Sequence, residues 1–354
     1  MTRCRTTIAV FAFLFTASAP SLRVEAAVAG DWPTFGRDHA HTAYVADPLV
    51  NAEGARRLGV RWMTNLYSAD LGSPVIAYSQ TLHKSIVYVG DERGDLRALD
   101  LADGSTLWSV SLGPGAALRD TPLVVDGAVW VGTSYGTRVV KLDANTGRIL
   151  CSLNGPASFF ASPMTATIAG TTMVYASTID EPAFSGPVYG INDAACSTQF
   201  DFTNFATQTG VWASPSYGID ALGRSVVILG SADPDSREYA IDAMTGKRYW
   251  VYGVYNPGSG TYDIGAAADI SPPGTNGFAD GVVYFPTKYG IMYALDLTTG
   301  KLIWQYNFNK AAHVTEGGLS TPARIRNEIV FGYNGGAFAL NATTGATIWQ
   351  WVDP

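Results

Sequence analysis

The chain has 354 residues, 47% of them hydrophobic and 15% charged, which excludes a disordered chain and bounds it at one large domain or two ordinary ones. A formal net charge of −7 offers no electrostatic attraction to nucleic acid or to an anionic membrane surface. The 38 glycines suit a fold with many tight turns.

At the N-terminus, Arg3 and Arg5 precede an apolar run from Ile8 to Ala17, about ten residues long and too short to span a bilayer. Small residues follow from Val24 to Gly30. Residues 1–29 therefore read as a secretory signal peptide, cut near Ala26–Ala29. The mature chain is expected in the periplasm or secreted, with no membrane insertion. Loss of Arg3, Arg5, Arg23 and Glu25 takes its charge to −9. Cys4 lies before the apolar run, so it is not placed to carry a lipid.

The rest, residues 30–354, is read as one domain: an N-terminal segment and closing strand over 30–70, then six repeats over 71–354. Segments aligned on a tryptophan four residues after a glycine are "ALDLADGSTLW" (98–108), "KLDANTGRILC" (141–151), "AIDAMTGKRYW" (240–250), "ALDLTTGKLIW" (294–304) and "ALNATTGATIW" (339–349). A degenerate copy is "GINDAACSTQF" (190–200). The anchors Trp108, Cys151, Phe200, Trp250, Trp304 and Trp349 are spaced by 43 to 54 residues, the period of a four-stranded propeller blade. A Ser-Pro or Thr-Pro pair precedes each copy, at Pro74, Pro122, Pro163, Pro215, Pro272 and Pro322.

Each repeat thus predicts four short antiparallel strands, A to D. Strand A starts at the Ser/Thr-Pro, B is an apolar run such as "SIVYVG", C ends at Ala-x-Asp and D carries the tryptophan. The Asp-x-x-Thr-Gly step is the C–D turn: Asp and Thr satisfy turn amides and Gly supplies positive φ. The fold class is all-β, a propeller of stacked blades.

This motif resembles that of the pyrroloquinoline-quinone (PQQ) repeat family. The opening "DWPTFGRDHAHTAYVADPLVNAEGARRLGVRW", Asp31 to Trp62, is similar to that of quinoprotein alcohol dehydrogenases and polyvinyl-alcohol-dehydrogenase-like proteins. The repeat is specific for the fold and much less so for an activity. The resemblance implies that each Trp stacks on the Ala of its own motif and on the Gly of the next. The Ala–Trp pairs are then Ala98–Trp108, Ala240–Trp250, Ala294–Trp304 and Ala339–Trp349. The second copy has Lys141 for Ala and Cys151 for Trp, and the third has Cys196 for Gly. In the family geometry these cysteines face each other, which implies a disulfide Cys151–Cys196 in place of one tryptophan dock, as an oxidising compartment permits. Trp62 looks like a further strand D without A, B or C, leaving six blades plus an extra strand or an incomplete seven-bladed ring.

Strand direction puts the D–A and B–C loops on one face and the C–D turns on the other. The first face collects Asp91, Glu92, Arg93, Arg119, Asp120, Asp180, Glu181, Asp233, Asp235, Asp263, Asp269, Lys288, His313 and Glu316. Its longest loops are Thr178–Gly186 and Tyr255–Ala268. The resemblance implies a quinone on the axis near this face. PQQ is a tricarboxylate and needs cations, usually a Ca²⁺, together with a carboxylate base for an alcohol proton. Lys288, in "PTKYGIMYALD", resembles a quinone-contacting lysine, and Asp269 or Asp263 would be the base.

The chain has no adjacent cysteine pair and no C-x-x-C-H, hence no covalent haem. His39 and His41 form a weak metal signal; a Ser-His-Asp set and a phosphate loop have no motif. Two functions stand: a PQQ-dependent alcohol or polyol dehydrogenase acting on a small alcohol or a polymer, and a noncatalytic propeller binding protein or polysaccharide through its loops. A third, an outer-membrane assembly scaffold, usually uses a lipid anchor.

Overall fold

The structure, a computed structural model, describes residues 30–45, 52–69, 72–180, 186–203, 205, 209–256, 262–309, 320–333 and 336–352. Residues 1–29, with the expected signal peptide, lie outside these, as do Glu181, His313 and Glu316.

The described strands form six four-stranded antiparallel sheets, each in sequence order. Blade 1 holds β1 (Val75–Ser79), β2 (Lys84–Gly90), β3 (Asp95–Asp100) and β4 (Thr106–Ser111). Blade 2 holds β5 (Leu123–Val125), β6 (Ala128–Gly132), β7 (Arg138–Asp143) and β8 (Ile149–Asn154). Blade 3 is β9 (Met164–Ile168), β10 (Thr171–Ser177), β11 (Val188–Asn192) and β12 (Ser197–Phe202). Blade 4 is β13 (Ser216–Ile219), β14 (Ser225–Gly230), β15 (Arg237–Asp242) and β16 (Arg248–Gly253). Blade 5 is β17 (Asp269–Ser271), β18 (Val282–Pro286), β19 (Ile291–Asp296) and β20 (Leu302–Asn307). Blade 6 is β21 (Ala323–Ile325), β22 (Glu328–Tyr333), β23 (Gly336–Asn341) and β24 (Thr347–Val352). The second strand is largely buried in blades 1 to 5, with β6 and β18 buried throughout, as an apolar strand covered on both faces must be.

The repeat motif sits where the sequence puts it. Ala98, Ala240, Ala294 and Ala339 pair across the ladder with Trp108, Trp250, Trp304 and Trp349, and each pairing is followed by a register shift. In the turn after β19, the Asp296 carboxylate accepts the Thr299 N–H and hydroxyl, both at 2.7 Å, and Gly300 takes φ 70°. A Cβ on Gly300 would meet the Trp250 ring at 2.6 Å, so glycine is required there for approach as well as for φ.

Blades are joined by these docks. Trp108 lies on Gly147, Trp250 on Gly300 and Trp304 on Gly345. Each indole N–H bonds the carbonyl three residues before the glycine: Ala144 at 3.0 Å, Leu297 at 2.9 Å and Ala342 at 3.0 Å. Phe200 docks on Gly246. Between blades 2 and 3, Cys151 and Cys196 form the expected disulfide, their Cα atoms 6.6 Å apart.

Two expectations change. Trp62 docks on Gly104 and donates its N–H to the Leu101 carbonyl at 2.9 Å, as a preceding blade's tryptophan would. Residues 58–66, however, carry no strand, because no described neighbour offers them a ladder. The extra strand is therefore a docked segment. Trp349, by contrast, is 43% exposed, so blade 6 does not close on blade 1 through a tryptophan dock. The second change is at Pro272, which lies beyond β17. The position aligned with the Ser/Thr-Pro pairs of the other blades is Ala267–Ala268, and blade 5 lacks the pair.

Candidate functional site

The D–A loops meet at the propeller axis, where the Ser/Thr-Pro pairs have a visible task. Thr121, Ser162, Ser214 and Thr321 each present the hydroxyl oxygen to the N–H of the equivalent residue one blade earlier. Ser73 N–H donates to Thr121 Oγ1 at 3.0 Å, Thr121 N–H to Ser162 Oγ at 2.9 Å, and Ser162 N–H to Ser214 Oγ at 3.1 Å. Ala267 N–H continues to Thr321 Oγ1 at 3.1 Å. The proline that follows has no N–H to leave unpaired. These oxygens accept from the chain, so their O–H groups remain to donate.

This hydroxyl ring surrounds a cavity of about 180 Å³. Apart from Phe35, its lining comes from the D–A loops, including Arg119, Phe160 and Trp212. These three occupy one aligned position, two residues before the Ser or Thr. The Phe160 and Trp212 rings stack with centroids 6.1 Å apart, and the Arg119 guanidinium lies 5.5 Å from the Phe160 centroid and 5.0 Å from that of Tyr135. Glu92 pairs with Arg119 at 3.0 Å. The Trp212 Nε1 is buried and has no hydrogen-bond partner among the described residues.

Lys288 and Asp263 come together beside this platform. Lys288 Nζ is 2.6 Å from Asp263 Oδ2 and 4.9 Å from the Trp212 centroid. The Asp233 N–H donates to Asp263 Oδ1 at 2.6 Å, and the Lys288 N–H to the Asp263 carbonyl at 3.0 Å. Asp263 is 4% exposed, and these partners satisfy its buried oxygens. Tyr289 and Tyr262, the neighbours of the pair in sequence, touch at 5.3 Å, as do Tyr289 and Tyr255.

Asp269 is elsewhere. It begins β17, is fully buried and bonds Arg324 of β21 at 2.8 Å. Burial pushes its carboxyl up to about 7, against the pull of Arg324. It bridges the inner strands of blades 5 and 6; like Asp263 and Lys288 it is not among the residues lining the cavity, but unlike Lys288 it has no contact with the Trp212 ring among the described residues. Asp120 is also buried, its Oδ2 accepting the Gly132 N–H at 2.6 Å. Burial holds its carboxyl well above the usual range. Asp91 and Asp235 are spent within their loops: Asp91 on Arg97 at 2.6 Å, Asp235 on Ser231 and Tyr239 at 2.8 and 2.6 Å.

The N-terminal segment crosses the axis below the hydroxyl ring. Trp32 exchanges two backbone hydrogen bonds with Ile76 of β1. The Pro33 carbonyl accepts from Val124 of β5 at 2.8 Å, the His39 carbonyl from Tyr217 of β13 at 2.7 Å, and the Ala40 carbonyl from Ile270 of β17 at 3.0 Å. Four of the six inner strand edges, which would otherwise be unpaired, are thus covered by one plug. His41 is fully buried, with Nδ1 2.8 Å from the Phe35 carbonyl and Nε2 2.9 Å from the Pro215 carbonyl. Burial lowers the pKa of this imidazole. Both ring nitrogens are used within the fold, so His39 and His41 do not form a metal pair. Among the described residues no group of three or more His, Cys, Asp or Glu could hold a metal ion.

The donors fit a flat polyanion. Arg119 and the hydroxyl ring present hydrogen-bond donors to one cavity beside two stacked rings. They would hold the carboxylates and the plane of PQQ. The described residues do not build a Ca²⁺ cage: the Asp233 carboxylate is taken by Tyr262 N–H at 2.9 Å and Ser236 at 2.5 Å. Trp212 and Phe160 were not singled out in the sequence, and Arg119 appeared there only as one of the charges on the loop face. Aligning the D–A loops on the Ser/Thr-Pro pair places all three in one column and would have found them.

The chain resembles known proteins along most of its length. A family model described as "Outer membrane protein assembly factor BamB" matches residues 50–199 and 206–352. The quinohemoprotein alcohol dehydrogenase ADH IIB of Pseudomonas putida is 25% identical over 374 aligned positions, 85% of this chain and 51% of that protein. The quinohemoprotein alcohol dehydrogenase of Comamonas testosteroni is 29% identical over 165, covering 44% of this chain and 22% of that protein. The chain thus spans about half or less of these curated relatives. Among solved structures, a europium-containing methanol dehydrogenase superposes with TM-score 0.71 at 15% identity, over 92% of this chain and 79% of that one. BamB from Moraxella catarrhalis gives 0.59 at 17%, over 82% and 77%. At these identities the superpositions speak for the fold alone. With the repeat, the blades, the docks and the matched family model in agreement, the chain belongs to the PQQ-repeat β-propeller family.

Proposed function

We propose that this chain is an exported quinoprotein that binds PQQ in its axial cavity and oxidises an alcohol or polyol there. The observation that carries the reading is the meeting of Lys288 and Asp263 at 2.6 Å against Trp212, beside a cavity whose open groups are hydrogen-bond donors. When bound, PQQ supplies a two-electron acceptor. The chain's residues do the rest. Arg119 and the hydroxyl ring bind carboxylates. Phe160 and Trp212 offer a ring face. Asp263 takes the alcohol proton at its Oδ2, and Lys288 holds that carboxylate in place until then. Asp269, buried on Arg324, has a structural part in this reading. The leader-like residues 1–29 support export.

The second reading, a noncatalytic propeller that binds protein or polysaccharide through its loops, is favoured by one observation. Both cations near the cavity already have a carboxylate partner, Arg119 with Glu92 and Lys288 with Asp263.

Adding PQQ with Ca²⁺ to the mature protein separates the two. The enzyme reading expects a bound-quinone absorbance and dye reduction with alcohols, with D263N abolishing turnover while retaining quinone. Absence of binding at micromolar PQQ would leave the binding-module reading.

A further inference from the structure

We infer that Phe35 is a specificity-determining residue of the axial cavity: its ring, carried on the N-terminal plug, is the floor that makes the cavity a blind cup with one mouth. The D–A loops supply the walls, and most of what they contribute is small: Gly72, Ala161, Gly265, Ala267 and the hydroxyl ring. Such residues cannot reach across an axis. The large rings at the cavity are Phe160, Trp212 and Phe35, and Phe35 alone of the lining comes from outside the D–A loops.

Its depth follows from strand direction. Each strand A runs from the hydroxyl ring toward the C–D turn face. The plug bonds Ile76, Val124 and Tyr217, three residues past Ser73, Thr121 and Ser214. At about 3.3 Å per residue the plug therefore crosses roughly 10 Å below the ring.

Its position is fixed on several sides. The adjacent Thr34 donates its hydroxyl to the Pro163 carbonyl at 3.4 Å, and Pro33 is held by Val124. The Phe35 carbonyl faces His41 Nδ1 at 2.8 Å, and the two rings meet edge to face at 5.5 Å. Gly36 has φ +62°, and a Cβ there would strike the His41 ring at 2.7 Å, so this hairpin admits little other than glycine. A side chain held so tightly is a wall rather than a gate: a ligand enters and leaves from the D–A and B–C face, and the lower channel is sealed from the site.

The test reads the floor without needing turnover. Acrylamide quenching of Trp212 is taken as the difference between each protein and its W212F counterpart. In F35A it should rise about twofold or more, because removing an aromatic ring opens a void of the order of 100 Å³. In F35L it should stay near wild type. F35V, which also leaves the axis open, replaces F35A should the latter not fold. An unchanged value in F35A or F35V, or an equal rise in F35L, would overturn the inference.

The bearing of Phe35 on the cofactor rests on the quinone reading above. If that reading holds, F35A weakens PQQ binding about tenfold, as loss of one ring contact implies, and F35L restores it to within about threefold. Failure of wild type to bind PQQ would remove the quinone reading, while the quenching arm still decides the floor.

Discussion

The joint between blades 2 and 3 and the joint between blades 5 and 6 do the same work with different chemistry. At the second, the Trp304 ring covers Gly345 and its N–H bonds the Ala342 carbonyl, which also accepts the Tyr284 hydroxyl at 3.0 Å. At the first, the disulfide Cys151–Cys196 stands for ring and glycine. The carbonyl three residues before Cys196 belongs to Asp193. It accepts from Lys141 Nζ at 2.9 Å, and Lys141 replaces the motif alanine. The Asp193 carboxylate also pairs with Lys141 at 2.8 Å and accepts the Trp130 N–H at 2.7 Å. Trp130 takes the strand B place that Tyr284 holds in blade 5. The departures in the second and third repeats are therefore one coordinated exchange. What the joint demands is a bridge across the gap and a donor for one carbonyl, not tryptophan itself.

That comparison can be broken by mutation. The largest effect is expected at the covalent joint. C151A/C196A should lower unfolding stability by about 4 kcal/mol in the chain-entropy model for a loop of this size, measured by denaturant unfolding with and without reductant. A loss under about 1 kcal/mol would mean that Lys141 and Asp193 suffice alone.

Trp304→Phe is a sharper cut. It keeps a ring on Gly345 and removes the indole donor, while Tyr284 still serves the carbonyl. The expected cost is about 1 kcal/mol. A cost nearer that of deleting the whole side chain, about 3–5 kcal/mol, would show that the ring fit and not the donor is the stringent feature.

The smallest effect is expected where the motif has no dock. Trp349 pairs with Ala339 in its own blade but is 43% exposed, against 9% for Trp304. Trp349→Ala should change stability by less than about 0.5 kcal/mol. A large loss would reveal a partner for Trp349 in solution.

The blades were legible because their information is local and repeated: a turn that needs Gly after Asp-x-x-Thr, an apolar strand B, an anchor at strand D. The disulfide could be read only through the family geometry, since spacing alone does not pair cysteines. Pro272 misled because it matches the composition of the Ser/Thr-Pro pairs but not their place before strand A. The aligned Ala267 keeps the N–H that the ring needs and lacks the hydroxyl. Asp269 read as a loop carboxylate. Its partner Arg324 lies 55 residues on, and nothing local announces a bond between two blades. The plug was illegible for a related reason. Residues 32–41 have no periodicity of their own, because their carbonyls serve four inner strand edges in turn and their side chains follow no single face. Lys288 and Asp263 were picked singly; their contact depends on adjacent loops of one blade, which the strand order does place near each other.

In the proposed function six D–A loops and one plug build a cup for PQQ. The most direct test is a titration of the mature protein with PQQ in Ca²⁺ buffer, read by quenching of tryptophan fluorescence in wild type, W212F and K288A. A PQQ cup should give one saturable equivalent in wild type, loss of most of the quench in W212F, and binding weakened by about tenfold or more in K288A, as removal of a charged contact implies. A titration that never saturates, or one in which both variants match wild type, would contradict it.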